Sequence, residues 1–365
     1  MAQIPNIADL TINPVEVSDL SQMIAEKVYQ DPNYLKFNQT ISGITKKTQI
    51  LLDASSGKAG WKATGCAAIE SGGMSIKMAE LFWDLATIED QLEICQSDLD
   101  SNFKALVTKY AADKFGDLSN QEAINVFVTA KVERFLKEAH ERFVWLGDTD
   151  AENVADGGYV KDAINVKFYT ALDGIWKQVF TNVGLGNTQR FTIAANAQAT
   201  KALQMSTMDK DAAFAAIKNV YDNANDVIKL DPNAYIKVTS KVYNEYKNYL
   251  ATNTLSGGGL SQITIEGVAQ PAYMGVPIYT SLFESSEILS AFEISDGGSP
   301  EVLTYNLPHR VIMAAPELLP VATISDEDLN TLETFYVQKD RLSYIRFDFA
   351  VDTKAVRPEL LSVGY

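Results

Sequence analysis

Residues equipped for chemistry are few in this chain of 365 residues, and their spacing builds no reactive centre. Of the two histidines, His140 lies in a long helical pattern and His309 sits beside a proline; neither has carboxylates at the spacing of a metal site. A lone histidine of that kind reads as structural. Cys66 and Cys95 have neither metal nor redox spacing, which leaves buried free thiols in a reducing cytoplasm. Three glycine-containing stretches come near known signatures and miss them. Gly57-Lys58 would close a phosphate loop, but Leu52 stands where the upstream glycine is needed and Ala59 where Ser or Thr is needed. Gly184-Leu185-Gly186 is followed by Gln189 where a dinucleotide fold wants glycine. Gly297-Gly298-Ser299-Pro300-Glu301 lacks the last glycine of a nucleophile elbow. Glu89-Asp90 and Asp326-Glu327-Asp328 read as solvated faces or helix starts. The expectation is a protein that is not an enzyme, with no catalytic, cofactor-binding or metal-binding residue.

Charge narrows the partners. A net charge of -16 and a pI near 4.6 repel phosphate, so a protein that grips nucleic acid through a basic footprint is disfavoured. A wall that merely encloses nucleic acid is compatible with the same charge, because it gains nothing by gripping. Hydrophobic residues at 46% and charged residues at 21% are ordinary for a soluble globular chain long enough for two lobes. The N-terminal stretch Met1 to Leu10 has no basic start and no apolar run, and no segment approaches the roughly 20 apolar residues of a membrane span. A soluble protein made in a cytoplasm is expected.

The elements that would position any function follow from periodicity. Residues 1–40 mix Pro5, Pro14 and Pro32 with one amphipathic piece, Ser18 to Tyr29, whose Leu20, Met23, Ile24 and Val28 share a face that must dock on something. Residues 41–78 are rich in glycine and small residues, with Ser55-Ser56 at a tip between two extended flanks, and read as a long two-stranded excursion. Such a ribbon is not stable alone in water, so Trp61 is expected either to anchor it on a neighbour or to pack beneath it. Phe82 to Ile94 predicts a strand, and Ser97 to Phe115 a helix ended by Gly116. The strongest helix starts at the capping box Ser119-Asn120-Gln121-Glu122 and keeps phase through Ile124, Phe127, Val128, Val132, Phe135, Leu136, Phe143 and Leu146 to Gly147. At 1.5 Å per residue it is a rod of roughly 40 Å. A helix over Val166 to Phe180, a strand over Phe191 to Ala195, a buried strand over Arg310 to Ala314, and a half-buried strand alternating Ile345, Phe347, Phe349 and Val351 complete the pattern.

Between Asp209 and Ser281 five features occur in a fixed order. A helix over Asp209 to Lys229 buries Ala213, Phe214, Ile217, Val220, Tyr221, Ala224, Val227 and Ile228, and Asp231-Pro232 stops it. The strand Ala234 to Thr239 puts Ile236 and Val238 on one face, Tyr235 and Lys237 on the other. Ser240 caps a short helix with Val242, Tyr243, Tyr246, Tyr249 and Leu250. The loop Ser256-Gly257-Gly258-Gly259 follows, then a strand with Ile263 and Ile265 and the turn Tyr273 to Thr280 pivoting at Gly275.

That order, with Gly275-Val276-Pro277-Ile278 as its last member, resembles the apical domain of tailed-bacteriophage major capsid proteins of the Hong Kong 97 type. The resemblance implies an α+β capsid fold. Its parts would be an N-terminal arm over 1–40, an extended loop over 41–78, a peripheral domain over 79–164 and 326–365 with a spine helix about 119–146, and an apical domain over 165–325. It implies that the chain assembles with itself, through pentamers and hexamers, into an icosahedral head around double-stranded DNA. Subunit contacts would come from Ser55, Gly57, Lys58, Trp61 and Lys62 in the extended loop, and Gly257, Gly258 and Gly259 would line the capsomer centre. Scaffolding protein, portal and a decoration protein are the implied partners, with no membrane and no sequence-specific DNA contact. The virion is the implied location, after assembly in the host cytoplasm. Too little chain precedes the extended loop for a full scaffolding segment, so a separate scaffold or a processed chain is expected. Lys58 and Lys62 lie where some shells of this type join a lysine to a neighbour's asparagine, but no motif here fixes the asparagine or glutamate. An encapsulin-like compartment shares the fold and is the alternative; a soluble α+β enzyme or binding module is the second.

Overall fold

The computed structural model describes residues 37–44, 49–53, 78–95, 120–151, 160, 164–253, 262–265, 268–294, 304–324, 333–337 and 342–365. In chain order, β1 (Thr40–Ile41), β2 (Gln49–Asp53), β3 (Met78–Phe82) and β4 (Ala86–Cys95) lead to α1 (Asn120–Leu146), a helix of 27 residues. Next come α2 (Ile175–Gly184), β5 (Gln189–Phe191), α3 (Lys201–Thr207), α4 (Lys210–Asn223) and the single turn α5 (Asp226–Lys229). The chain continues through β6 (Tyr235–Val238), α6 (Ser240–Asn253), β7 (Gln262–Ile265), β8 (Val268–Tyr273), β9 (Val276–Thr280), α7 (Leu282–Ala291) and the short pair β10 (Glu293–Ile294) and β11 (Thr304–Tyr305). It ends in β12 (Val311–Ala314), β13 (Val321–Thr323), β14 (Glu333–Val337), β15 (Leu342–Thr353) and β16 (Ser362–Gly364). The fold is α+β.

Two sheets organise these elements. In the five-stranded sheet β15 is the axis: β4 runs antiparallel along one side from Leu342 to Val351, while β14 and β13 share the other side and β1 adds to β13 in parallel. Alternation along β15 buries Phe347, Phe349 and Val351 toward α1, whose Val132, Leu136 and Phe143 meet them in one core. His140 stacks on Phe349 in that layer at 5.8 Å between ring centroids. The second sheet has seven strands in the order β5-β16-β12-β6-β9-β8-β7. One of its faces, with Ile236, Val238, Val311, Met313 and Ile278, is covered by α4 and α6. The opposite face, with Tyr235, Ile312, Ala314 and Val363, joins the core under α1, α2 and α7.

Local chemistry explains most boundaries. Asp209 caps α4 by accepting from the N–H groups of Asp211 and Ala212, and Ser281 caps α7 by accepting from Glu284 N. The β8–β9 turn needs left-handed backbone at two residues, Met274 with φ 50° and Gly275 with φ 86°, which only the glycine adopts without strain.

Several expectations are corrected. The helix expected over Asp209 to Lys229 breaks at Ala224, where Asn225 takes extended backbone and caps α5 through Val227 N; Ile228 is buried, but Val227 is exposed. Ser240 is the first residue of α6, not its cap, and its N–H donates to Ser285 Oγ at 2.8 Å. The helix expected over Val166 to Phe180 starts only at Ile175. Before it, Asp173 accepts from Thr149 N and Oγ1, and Gly174 N donates to Gly147 O, which pins extended chain against the end of α1. Phe135, which keeps the apolar phase of α1, is exposed, and so is Phe168. The strand expected at Phe191 to Ala195 covers Gln189 to Phe191 and gives way to a 3-10 turn over Ala194–Ala197, whose Asn196 brackets the backbone of His309. Strand β16 follows β15 and pairs with β12 and β5, so the chain finishes in the seven-stranded sheet.

Candidate assembly elements and the junction behind them

The residues singled out for subunit contact, Ser55, Gly57, Lys58, Trp61 and Lys62, and Gly257, Gly258 and Gly259 of the apical loop, lie outside the described residues. So do the helix expected over Ser97 to Phe115 and the amphipathic stretch Ser18 to Tyr29. What is described is how the loops are rooted.

The excursion begins as the pair β2–β3, antiparallel from Gln49–Phe82 to Asp53–Met78, and both of its strands issue from the five-stranded sheet, through β1 and β4. Trp83, at the root, is fully buried with Ile44 and Ala322. Gly43, with φ 80°, donates its N–H to Ile324 O at 2.9 Å, which turns the chain out of the sheet. Asp84 N donates to Asp352 Oδ2 at 2.8 Å, and Lys354 Nζ lies 3.2 Å from the same carboxylate oxygen. Burial raises the Asp352 carboxyl above the ordinary range, partly opposed by these donors. The apical loop is rooted between the end of α6 at Asn253 and the start of β7 at Gln262.

Behind these elements a group of buried charges ties α1 to the seven-stranded sheet. Lys237 on β6 is buried, because β12 and β9 flank the strand and α1 covers this face. Its Nζ lies 3.2 Å from the Trp145 ring centroid and 5.0 Å from that of Phe37. It is 2.5 Å from Glu284 Oε2 on α7 and 4.0 Å from Glu141 Oε1 on α1. Despite the short contact, neither Lys237 Nζ nor Glu284 Oε2 has an aligned hydrogen bond among the described residues. Charge attraction and the ring face are therefore what offsets their desolvation. The other oxygen of Glu284 accepts from Trp176 Nε1 at 2.6 Å. Phe37 closes the box, and its carbonyl accepts from Tyr235 OH at 2.6 Å.

Two further charges flank this box. Arg310 packs over Trp176 and Phe180 and donates to the carbonyls of Leu307 and Asn306, which holds Leu307 at φ 47°. Arg142 meets Glu287 at 3.2 Å, and Tyr169 OH donates to the same Oε2 at 2.6 Å. At the hinge of α1 and α2 the backbones touch so closely that a Cβ on Gly147 would lie 2.4 Å from Leu172 O. None of the five residues Trp145, Trp176, Lys237, Glu284 and Arg310 was assigned a functional part from sequence. For Lys237 the alternating pattern was visible, but a central strand and a half-exposed one look alike over four residues.

Both histidines are buried. Burial lowers His140 to about 4, and lowers His309 to about 4, the latter against a hydrogen bond that His309 Nε2 donates to Gln204 O at 2.9 Å. Among the described residues no group of three or more His, Cys, Asp or Glu is placed to hold a metal ion, and no helix is long and apolar enough to cross a membrane.

No protein-family model matches the sequence, and no curated protein matches it. Solved structures with a similar chain course include the satellite phage P4 procapsid with its size determination protein, at 9% identity and a TM-score of 0.48, covering 95% of this chain and 98% of that one. A chain of Gordonia phage Cozz is similar at 10% identity and a TM-score of 0.45, covering 91% of this chain and 84% of that one. The holo-SrpI encapsulin complex from Synechococcus elongatus is similar at 9% identity and a TM-score of 0.42, covering 100% and 90%. At these values the likeness carries no argument about function.

Proposed function

We propose that the chain is the major capsid protein of a tailed bacteriophage, a subunit that assembles with copies of itself, through pentamers and hexamers, into an icosahedral head around double-stranded DNA. One arrangement carries this reading: a two-stranded ribbon, β2–β3, leaves the same five-stranded sheet on which the 27-residue α1 lies. A ribbon of two strands gains too little by itself to stand in water, so its length is explained by a neighbour that covers it. Helix α1 and β15 share one core, and the Lys237 side chain on the second sheet packs against Trp145 of α1. Function then resides in the interfaces of the assembly.

In this reading residues 1–40 are the arm, 41–78 the extended loop, 79–164 with 326–365 the peripheral domain, and 165–325 the apical domain. Ser55, Gly57, Lys58, Trp61 and Lys62 contact the adjacent subunit, and Gly257 to Gly259 face the capsomer centre. The subunit performs no reaction. It resides in the virion after assembly in the host cytoplasm, with a scaffolding protein, portal and decoration protein as partners. The acidic surface suits a wall along which packaged DNA slides.

Replacing 54–77 by a four-residue Gly-Ser turn tests the claim. The variant should fold with the secondary structure of the parent and fail to close shells in electron micrographs. Normal shells from the shortened chain would remove the extended loop from assembly.

A further inference from the structure

The buried charges between α1, β6 and α7 place a nucleophile against an electrophile. Lys237 Nζ and Glu284 Oε2 are 2.5 Å apart without the alignment of a hydrogen bond, and their side chains are only 2% and 5% exposed. One carbon–oxygen bond beyond Oε2, the carboxyl carbon Cδ lies at most about 3.7 Å from Nζ, close to the separation at which reacting atoms are held. The other oxygen, Oε1, accepts from Trp176 Nε1 at 2.6 Å, a donor already aimed at the atom that would gather negative charge if Cδ were attacked. Glu141 Oε1 lies 4.0 Å from Nζ on a side chain with 26% exposure, so a second carboxylate faces the amine and reaches solvent. The rings of Trp145 and Phe37, centred 3.2 and 5.0 Å from Nζ, cover the amine and exclude water from it.

We infer that this cluster is a covalent modification site, at which Lys237 and Glu284 condense into an isopeptide bond that staples β6 to α7 within one chain. The Nζ–Cδ bond forms and the Cδ–Oε2 bond breaks. The ammonium gives up two protons, and Oε2 leaves with them as water. Nothing is oxidised or reduced, and no co-reactant is consumed. Glu141 takes the protons from Nζ and passes them to the departing oxygen, while the Trp176 N–H holds the charge that develops on Oε1. Exclusion of water opposes hydrolysis of the product. The change is made once, to the chain itself, and no substrate is turned over. The ion pair is the precursor state, and the bond closes the chain between residues 237 and 284, which restricts the unfolded ensemble as a disulfide does.

The inference does not rest on the shell reading, since it concerns one chain, and its failure would leave that reading untouched. The intact mass of the purified full chain tests it. After allowance for the N-terminal methionine, the parent should weigh about 18 Da less than its sequence, the loss of one water. Proteolysis with tandem mass spectrometry should find a branched peptide joining Lys237 to Glu284, and Lys237→Met should have the full mass of its own sequence. In chains followed from cell-free synthesis, Glu141→Gln should lose the water about 100-fold more slowly than the parent. A parent of full sequence mass, a deficit that survives in Lys237→Met, or a linkage between other residues would each overturn the inference. An unaltered rate in Glu141→Gln would overturn the part given to Glu141.

Discussion

The ammonium of Lys237 lies 3.2 Å from the ring centroid of Trp145, inside the molecule and between two elements distant in sequence. Because Glu284 is the facing carboxylate, Lys237→Met would leave a buried anion with its partner removed. The expected cost is about 3–5 kcal/mol, and Lys237→Met with Glu284→Gln should recover much of it. Urea denaturation of the two single variants and the double variant measures this. A double variant as unstable as the sum of the singles would mean that the two groups are not coupled.

Trp83 closes the root of the β2–β3 ribbon over Ile44 and Ala322. Trp83→Ala should cost about 3–5 kcal/mol and accelerate hydrogen exchange in β2 and β3 more than in β6 or β12. Uniform acceleration across both sheets would show that the tryptophan supports the whole fold and not the ribbon in particular.

Gly147 and Gly174 bring the ends of α1 and α2 into backbone contact. A methyl group at Gly147 would meet carbonyl oxygens of Leu172 and Phe143, which belong to the main chain and cannot rotate away. Gly147→Ala is expected to lower stability by about 1–3 kcal/mol or more, whereas Gly184→Ala, with open space around its Cβ, should be neutral or stabilising. Thermal melts of the pair decide it, and equal melting temperatures would contradict the close contact.

His140 and His309 are held neutral by burial, each near 4 where an unfolded chain titrates near 6.5. Their folded values are depressed, so the unfolded state binds more protons as the pH falls from about 6.5 to about 4. Stability from these groups is therefore complete above about pH 6.5 and is lost through that window, by roughly 3 kcal/mol for each histidine. Asp352, raised by burial, works in the opposite direction and offsets part of the loss. Urea midpoints from pH 7.5 to 4.5 should fall steeply in the parent and less steeply in His140→Gln, His309→Gln; identical slopes would remove the histidines from the effect.

Much of this frame was legible before any coordinates. The capping box at Ser119 and the stop at Gly147 bracket α1, the alternation of Phe347, Phe349 and Val351 gives the face of β15 that α1 covers, and Gly275 marks the β8–β9 turn. Those signals are local and repeat over many residues. The break at Asn225 was hidden because an apolar period continues through Ala224 while one side chain, that of Asn225, changes the backbone. Strand β16 was hidden because three residues carry no period, and its place comes from β12 and β5 on either side. The junction was hidden for a third reason: Lys237, Glu284, Trp145 and Trp176 come from four elements, and only packing brings them together.

The central claim is that copies of this chain build a closed shell, and the most direct test is the particle size of the purified, untagged protein, by light scattering followed by negative-stain electron microscopy. Closed shells, or rings of five and six subunits, are the expected result. A monodisperse monomer at every concentration, with and without a candidate scaffolding protein, would contradict it.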